Sequence, residues 1–188
     1  MTGCAALTWW RWTPRWWRPA GNSCPATPAA WTTGGCIFSL RTRCASSAGA
    51  RGEYDLIIVD STDPFGPSEG LFTKEFYGSC FNALKDDGIM VNQQGSPFYA
   101  HDAEAMQRSH KRIVETFPIS KVYQAHIPTY AAGYWLFGFA SKKYHPTNDV
   151  DVEGWNALNL RTRYYTPRLH IGAFALPAFL EEMLMEVE

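Results

Sequence analysis

Acidic residues and lysine are missing from the first quarter of this 188-residue chain. Residues 1–52 contain no Asp, Glu or Lys, and all 18 acids lie from Glu53 onward. The same segment holds six arginines, six of the eight tryptophans and four of the five cysteines. The formal net charge of -1 therefore averages two unlike pieces. It gives the whole chain no strong pull toward nucleic acid or an anionic membrane.

Paired cysteines are also lacking. Cys4, Cys24, Cys36 and Cys44 form no C-x-x-C pair and have no histidines at zinc spacing, so neither a disulfide framework nor a zinc site is expected. Cys80 sits in a predicted helix and reads as a buried free thiol. The five histidines are scattered, and no metal is expected. No apolar run approaches the about 18 residues of a membrane span, and the N-terminus has no continuous apolar core of a signal peptide. The expected address is cytoplasmic, without membrane or nucleic-acid partners.

What is present begins at Glu53. "DLIIVD" (55–60) is a short β-branched run bounded by acids, the pattern of a strand buried on both faces of a parallel sheet. A Pro- and Gly-rich loop follows (62–70). The spacing then predicts a helix over 71–84, stopped near Gly88, and a strand over 89–94. An amphipathic helix is expected over 102–117, halted by Pro118. Strands follow at 121–128 and 134–142, then a polar connection and a final helix packed on the sheet. This order is the second half of an open α/β sheet: parallel strands with a terminal antiparallel pair, preceded by an irregular arm. One domain is expected over 53–188, with 1–52 as a separate Trp/Arg/Pro-rich segment.

Ligands in such sheets bind beyond the carboxyl ends of the strands. Asp60 closes its strand there, and Asp63 follows three residues on. Two carboxylates at this spacing either cap a turn or face one cavity, where they would grip an ammonium group and accept its proton.

The stretch "DLIIVDSTDPFGPSEGLFTKEFY" resembles the signature segment of the polyamine aminopropyltransferases, the spermidine synthase family. The likeness continues through "LKDDGIMVNQQGSP", "HIPTYAAGYWLFGFASK" and "YYTPRLHIGAFALPAFLEEML", about 135 residues in order. It implies a Rossmann-like, methyltransferase-type sheet. It also implies transfer of an aminopropyl group from decarboxylated S-adenosylmethionine to putrescine, giving spermidine and methylthioadenosine. That nucleoside is a co-substrate, and no resident cofactor is implied. By the same resemblance Asp60 is the proton acceptor, and Asp63 is the second diamine-binding carboxylate. Ser61 and Thr62 line the site, and Pro67 touches the thioadenosine. Gln93 bonds the diamine, and Tyr130 bonds its far amine. Without the resemblance, Gln93 reads as an exposed amide and Tyr130 as a packing aromatic; Phe98 and Trp135 read as core. Family members associate as dimers or tetramers, so self-association is left open.

Residues 1–52 depart from the family. They contain no G-G-x-D-G-G loop, no acid for the ribose hydroxyls and no acidic adenine loop. Tryptophan has the single codon TGG, which allows a test. Read one base earlier, Trp9-Trp10 must yield valine, and Trp12-Thr13 and Trp31-Thr32 must each yield aspartate. "RTR" (41–43) can yield Glu-Asp-Ala. The segment from about 4 to 51 thus reads as an out-of-frame stretch of a family gene. The competing readings are a Trp/Arg-rich interaction arm on a non-catalytic fragment, and an ordinary methyltransferase sharing the sheet.

Overall fold

A short strand β1 (Ile37–Ser39) lies parallel to β2 (Tyr54–Val59), which lies parallel to β3 (Leu84–Gly95). β4 (Ile119–His126) and β5 (Tyr134–Ser141) form an antiparallel hairpin, and β5 inserts beside β3. The sheet order is β1-β2-β3-β5-β4. β5 runs against both of its neighbours, so β4 points the same way as β2 and β3. The carboxyl ends of these three strands share one edge. These elements come from a computed structural model that describes residues 37–39, 51–60 and 66–187.

α1 (Lys74–Ala83) begins where Thr73 accepts a hydrogen bond from Phe76 N–H at 3.2 Å, an N-cap that satisfies an otherwise orphaned donor. A short 3-10 helix, Gly66–Phe72, precedes it, so the helix starts three residues later than the apolar spacing predicts. Its end also differs from the expectation. The last carbonyls of α1 are taken by the strand entering beside it: Gly52 N–H bonds Asn82 O at 2.9 Å, and Glu53 N–H bonds Ala83 O at 2.8 Å. A helix whose final acceptors are satisfied this way needs no glycine cap. The chain turns directly into β3 at Leu84, and Gly88 lies inside that strand. A register shift between Tyr54 and Leu56 absorbs the extra residues, and Lys85 pairs with Asp55 at 2.8 Å across it.

α2 (Ala100–Val114) buries Met106, Ser109, His110 and Ile113, one stripe at helical spacing. Lys111 and Arg112 in its last turn suit the negative end of the helix dipole. α1 and α2 pack on one face of the sheet. Ile57, Val59, Met90 and Ala140 from the strands meet Phe76, Tyr77, Cys80 and Ile113 from the helices in one core cluster. A second cluster joins Met106, Val122 and Leu136 to Leu180 and Leu184 of α5 (Ala178–Met185), the expected final helix.

Two further short helices precede α5: α3 (Val152–Ala157) and α4 (Pro167–Ala173). The residues after α4 reach the opposite face, where Phe174 meets Tyr123 (5.3 Å) and Phe139 (6.1 Å between ring centres). The chain then rounds the β4 edge, with Gln124 Nε2 donating to Ala175 O at 2.7 Å. On that second face Leu56 and Ile58 of β2 are only half-buried among the described residues, although the sequence suggests a strand covered on both sides. β1 is also unanticipated: three residues within the segment expected to be irregular add a parallel strand to β2.

Candidate active site

Parallel pairing places Val59 opposite Asn92, so Asp60 and Gln93 leave neighbouring strands at the same level. Gln93 is also opposite Phe137 in β5, on the face where Phe137 stacks on Tyr123 at 5.3 Å. β4 ends nearby at His126 and enters the 127–133 connection that carries Tyr130. Asp60, Gln93 and Tyr130 therefore come to one edge of the sheet, the edge at which open α/β folds bind ligands.

Each of the three is held differently. Asp60 is the first residue past β2, exposed, and joined by no ion pair among the described residues. Gln93 is half-buried near the end of β3, immediately before the pairing shifts register between Gln93 and Gly95. That shift, with Gly95 at φ 95, re-aims the strand end as β-bulges do. Tyr130 belongs to a tight connection closed by Tyr130 N–H to Ile127 O (3.0 Å) and Gly133 N–H to Tyr130 O (2.9 Å). Gly133 has φ 65, a left-handed backbone that a side chain would strain.

Tyr130 lies on Trp135, with ring centres 4.0 Å apart and planes at 23°. Trp135 is buried, as the sequence suggests, while Tyr130 remains 42% exposed above it; Phe98, also expected in the core, is instead 57% exposed. The indole acts as a floor that fixes the phenol at the edge. No signal for this support existed in the sequence beyond the spacing of two aromatics across a turn. Beside it, burial pushes the Tyr134 phenol above its ordinary pKa, and its hydroxyl has no hydrogen bond among the described residues. Burial, with a smaller contribution from Tyr164, pushes the Tyr123 phenol up to about 12. These tyrosines stay neutral at physiological pH and serve as surfaces or hydrogen-bond donors.

Ser61, Thr62 and Asp63 lie outside the described residues, as does nearly all of the Trp/Arg-rich segment. Pro67 falls in the 3-10 helix Gly66–Phe72, and only its backbone is described. Among the described residues no cluster of three or more His, Cys, Asp or Glu could hold a metal ion. Nor is any described helix long and apolar enough to cross a membrane.

Residues 42–152 match the family described as the spermine/spermidine synthase domain. A curated polyamine aminopropyltransferase of Alkaliphilus oremlandii is 68% identical over 136 residues, which cover 72% of this chain and 48% of that protein. One from Clostridium beijerinckii is 65% identical over 132 residues, covering 70% and 46%. A solved spermidine synthase in complex with the transition-state analogue AdoDATO superposes with a TM-score of 0.70 at 38% identity, over 74% of this chain and 47% of that one. Spermidine synthase from Thermotoga maritima gives 0.67 at 38% identity, over 74% and 46%. The chain spans about half the length of the curated relatives it matches.

Proposed function

The chain belongs to the spermine/spermidine synthase domain family, and on that premise we propose that its carboxyl-edge site is the acceptor-amine part of an aminopropyl-transfer centre. The reaction joins a nitrogen of putrescine to the aminopropyl carbon of decarboxylated S-adenosylmethionine. The N–C bond forms as the C–S bond breaks. The sulfonium takes the bonding pair and leaves as the neutral thioether methylthioadenosine, and the nitrogen gives up a proton.

A primary amine with a pKa of about 10 is mostly protonated at neutral pH and has no lone pair to offer. The site must bind it as a cation and then hold its proton. Asp60 does both in this reading: its carboxylate draws the ammonium to the edge and accepts a proton from it, which frees the lone pair with which the nitrogen then attacks. Asp63 anchors the diamine. Gln93 presents an amide oxygen to the amine nearest the reaction, and the Tyr130 hydroxyl bonds the far one. Ser61 and Thr62 line the pocket, and Pro67 contacts the thioadenosine. The chemistry requires no metal and no resident cofactor, and the address that goes with it is cytoplasmic.

The observation that supports this reading most is the pairing of Val59 with Asn92, which brings Asp60 level with Gln93 at the carboxyl edge of the sheet. Titration calorimetry with putrescine tests the acceptor end separately from turnover. Each charge-assisted hydrogen bond contributes about 1.5–3 kcal/mol, so Asp60→Asn should weaken binding by about ten- to a hundredfold. Equal affinity in the two proteins would remove Asp60 from the acceptor site.

A further inference from the structure

Between the 3-10 helix Gly66–Phe72 and α1 the chain bends where the apolar spacing predicts continuous helix from residue 71. In an unbroken α-helix the Phe76 N–H would donate to Phe72 O, four residues earlier. Here it donates to Thr73 Oγ1 instead, at 3.2 Å. The Phe72 carbonyl loses its helical donor, and Phe72 itself is buried. Arg112 of α2 takes that place: its Nη1 donates to Phe72 O. The guanidinium joins no ion pair among the described residues. Thr73 Oγ1 also donates to Gly70 O at 3.1 Å, which ties the same corner from within. Two neighbours of Arg112, each three residues away, grip the start of α1. The Ser109 and Tyr77 hydroxyls meet at 2.6 Å, and Lys74 Nζ donates to Glu115 Oε2 at 2.7 Å. Of this row only Arg112 reaches past α1, into the segment that leads back to Asp60.

From this arrangement we propose that Arg112 is a positioning residue for the carboxyl-edge site. It holds the bend at Phe72, so that the segment after Asp60 ends in a 3-10 helix and does not continue into α1. A helix-end carbonyl without a donor is costly where water is scarce. An arginine suits the task because its donors are fixed in a plane and always charged. Without the guanidinium, Phe72 O regains a donor by taking back the Phe76 N–H. α1 then lengthens toward residue 71, as the apolar spacing allows, and the path of the chain back to Asp60 changes with it. That this path matters to an amine rests on the aminopropyl-transfer reading; the bend itself does not.

Solution NMR on Arg112→Met, which keeps an unbranched apolar stem, tests the bend. The Cα shifts of Leu71 and Phe72 should move to α-helical values, with β3 and the rest of α2 unchanged. Arg112→Lys restores a cationic donor and should return both shifts toward their original values. Lys74→Met breaks only the neighbouring ion pair and should leave them alone. Unchanged Leu71 and Phe72 shifts in Arg112→Met would overturn the proposal, as would a general loosening of α1 and α2. If that variant fails to fold, the Arg112 guanidinium of the unsubstituted protein decides. Hindered rotation and slow proton exchange are expected, and free rotation counts against the bond. Calorimetry then tests the consequence for the site. Putrescine affinity should fall about tenfold in Arg112→Met, the scale of one hydrogen bond to a charged group, and stay unchanged in Lys74→Met. Equal affinity in Arg112→Met would remove the positioning role. The absence of putrescine binding by the unsubstituted protein would overturn the aminopropyl-transfer reading and the site role with it. The NMR result involves no ligand, so it decides the bend in either case.

Discussion

Tyr130 and Trp135 show how a single side chain at the edge is made useful. The stack at 4.0 Å leaves the phenol exposed but fixed by a buried indole, and the Gly133 turn sets its height. Tyr130→Phe keeps the stack and removes only the hydroxyl. We expect the KM for putrescine to rise about tenfold, the loss of one hydrogen bond to a charged group, with little change in kcat. An unchanged KM would mean that the phenol is packing alone. Gly133→Ala should cost about 1 kcal/mol by thermal unfolding, because it forces a side chain into a left-handed backbone. At this scale Asp60 was legible, because an acid ending an apolar run is a local pattern. Arg112 was not: nothing in "SHKRIV" says that its guanidinium reaches Phe72 O, because that contact depends on how α2 packs against the start of α1.

Elements are joined by a small number of specific bonds, and these set their stability. Thr73→Ala removes the N-cap of α1 and should cost about 1 kcal/mol. Tyr77→Phe breaks the 2.6 Å bond to Ser109 that ties α1 to α2 and strands a buried hydroxyl, for about 1–3 kcal/mol in denaturant unfolding. Tyr123 links the sheet to the segment after α4, and its phenol is pushed from 10.0 up to about 12 by burial. The folded state holds this proton more tightly than the unfolded chain. Its contribution is therefore complete below pH 10 and is lost as pH rises through about 12. Tyr77, raised by burial in the same direction, adds to the loss at still higher pH. Alkaline titration of stability should show this decline, and Tyr123→Phe should flatten its first part. Element boundaries were legible where the signal was local, as at β2 and at the start of β5. The end of α1 was not, because its cap comes from the backbone of Gly52 and Glu53, about thirty residues earlier in the chain.

Over the whole molecule, the order of strands and helices after Glu53 was readable, and it sufficed to place the candidate residues on one edge. The insertion of β5 between β3 and β4 was not, since antiparallel closure depends on side-chain register across the sheet. The unlike N-terminal segment is a separate question at this scale. We propose that residues from about 4 to 51 are read out of frame, and resequencing the DNA checks it. A one-base shift should restore valine at Trp9-Trp10 and aspartate at Trp12-Thr13, in an open frame that rejoins near Arg51. Stop codons in that frame would end the idea. The central claim is that this edge binds the acceptor amine and takes its proton. It is tested most directly by methylthioadenosine release from decarboxylated S-adenosylmethionine and putrescine, with this chain and its Asp60→Asn variant side by side. General-base catalysis predicts that the variant releases product about a hundred- to ten-thousandfold more slowly. Equal release by the two proteins would contradict it; no release by either would leave the non-catalytic fragment reading in its place.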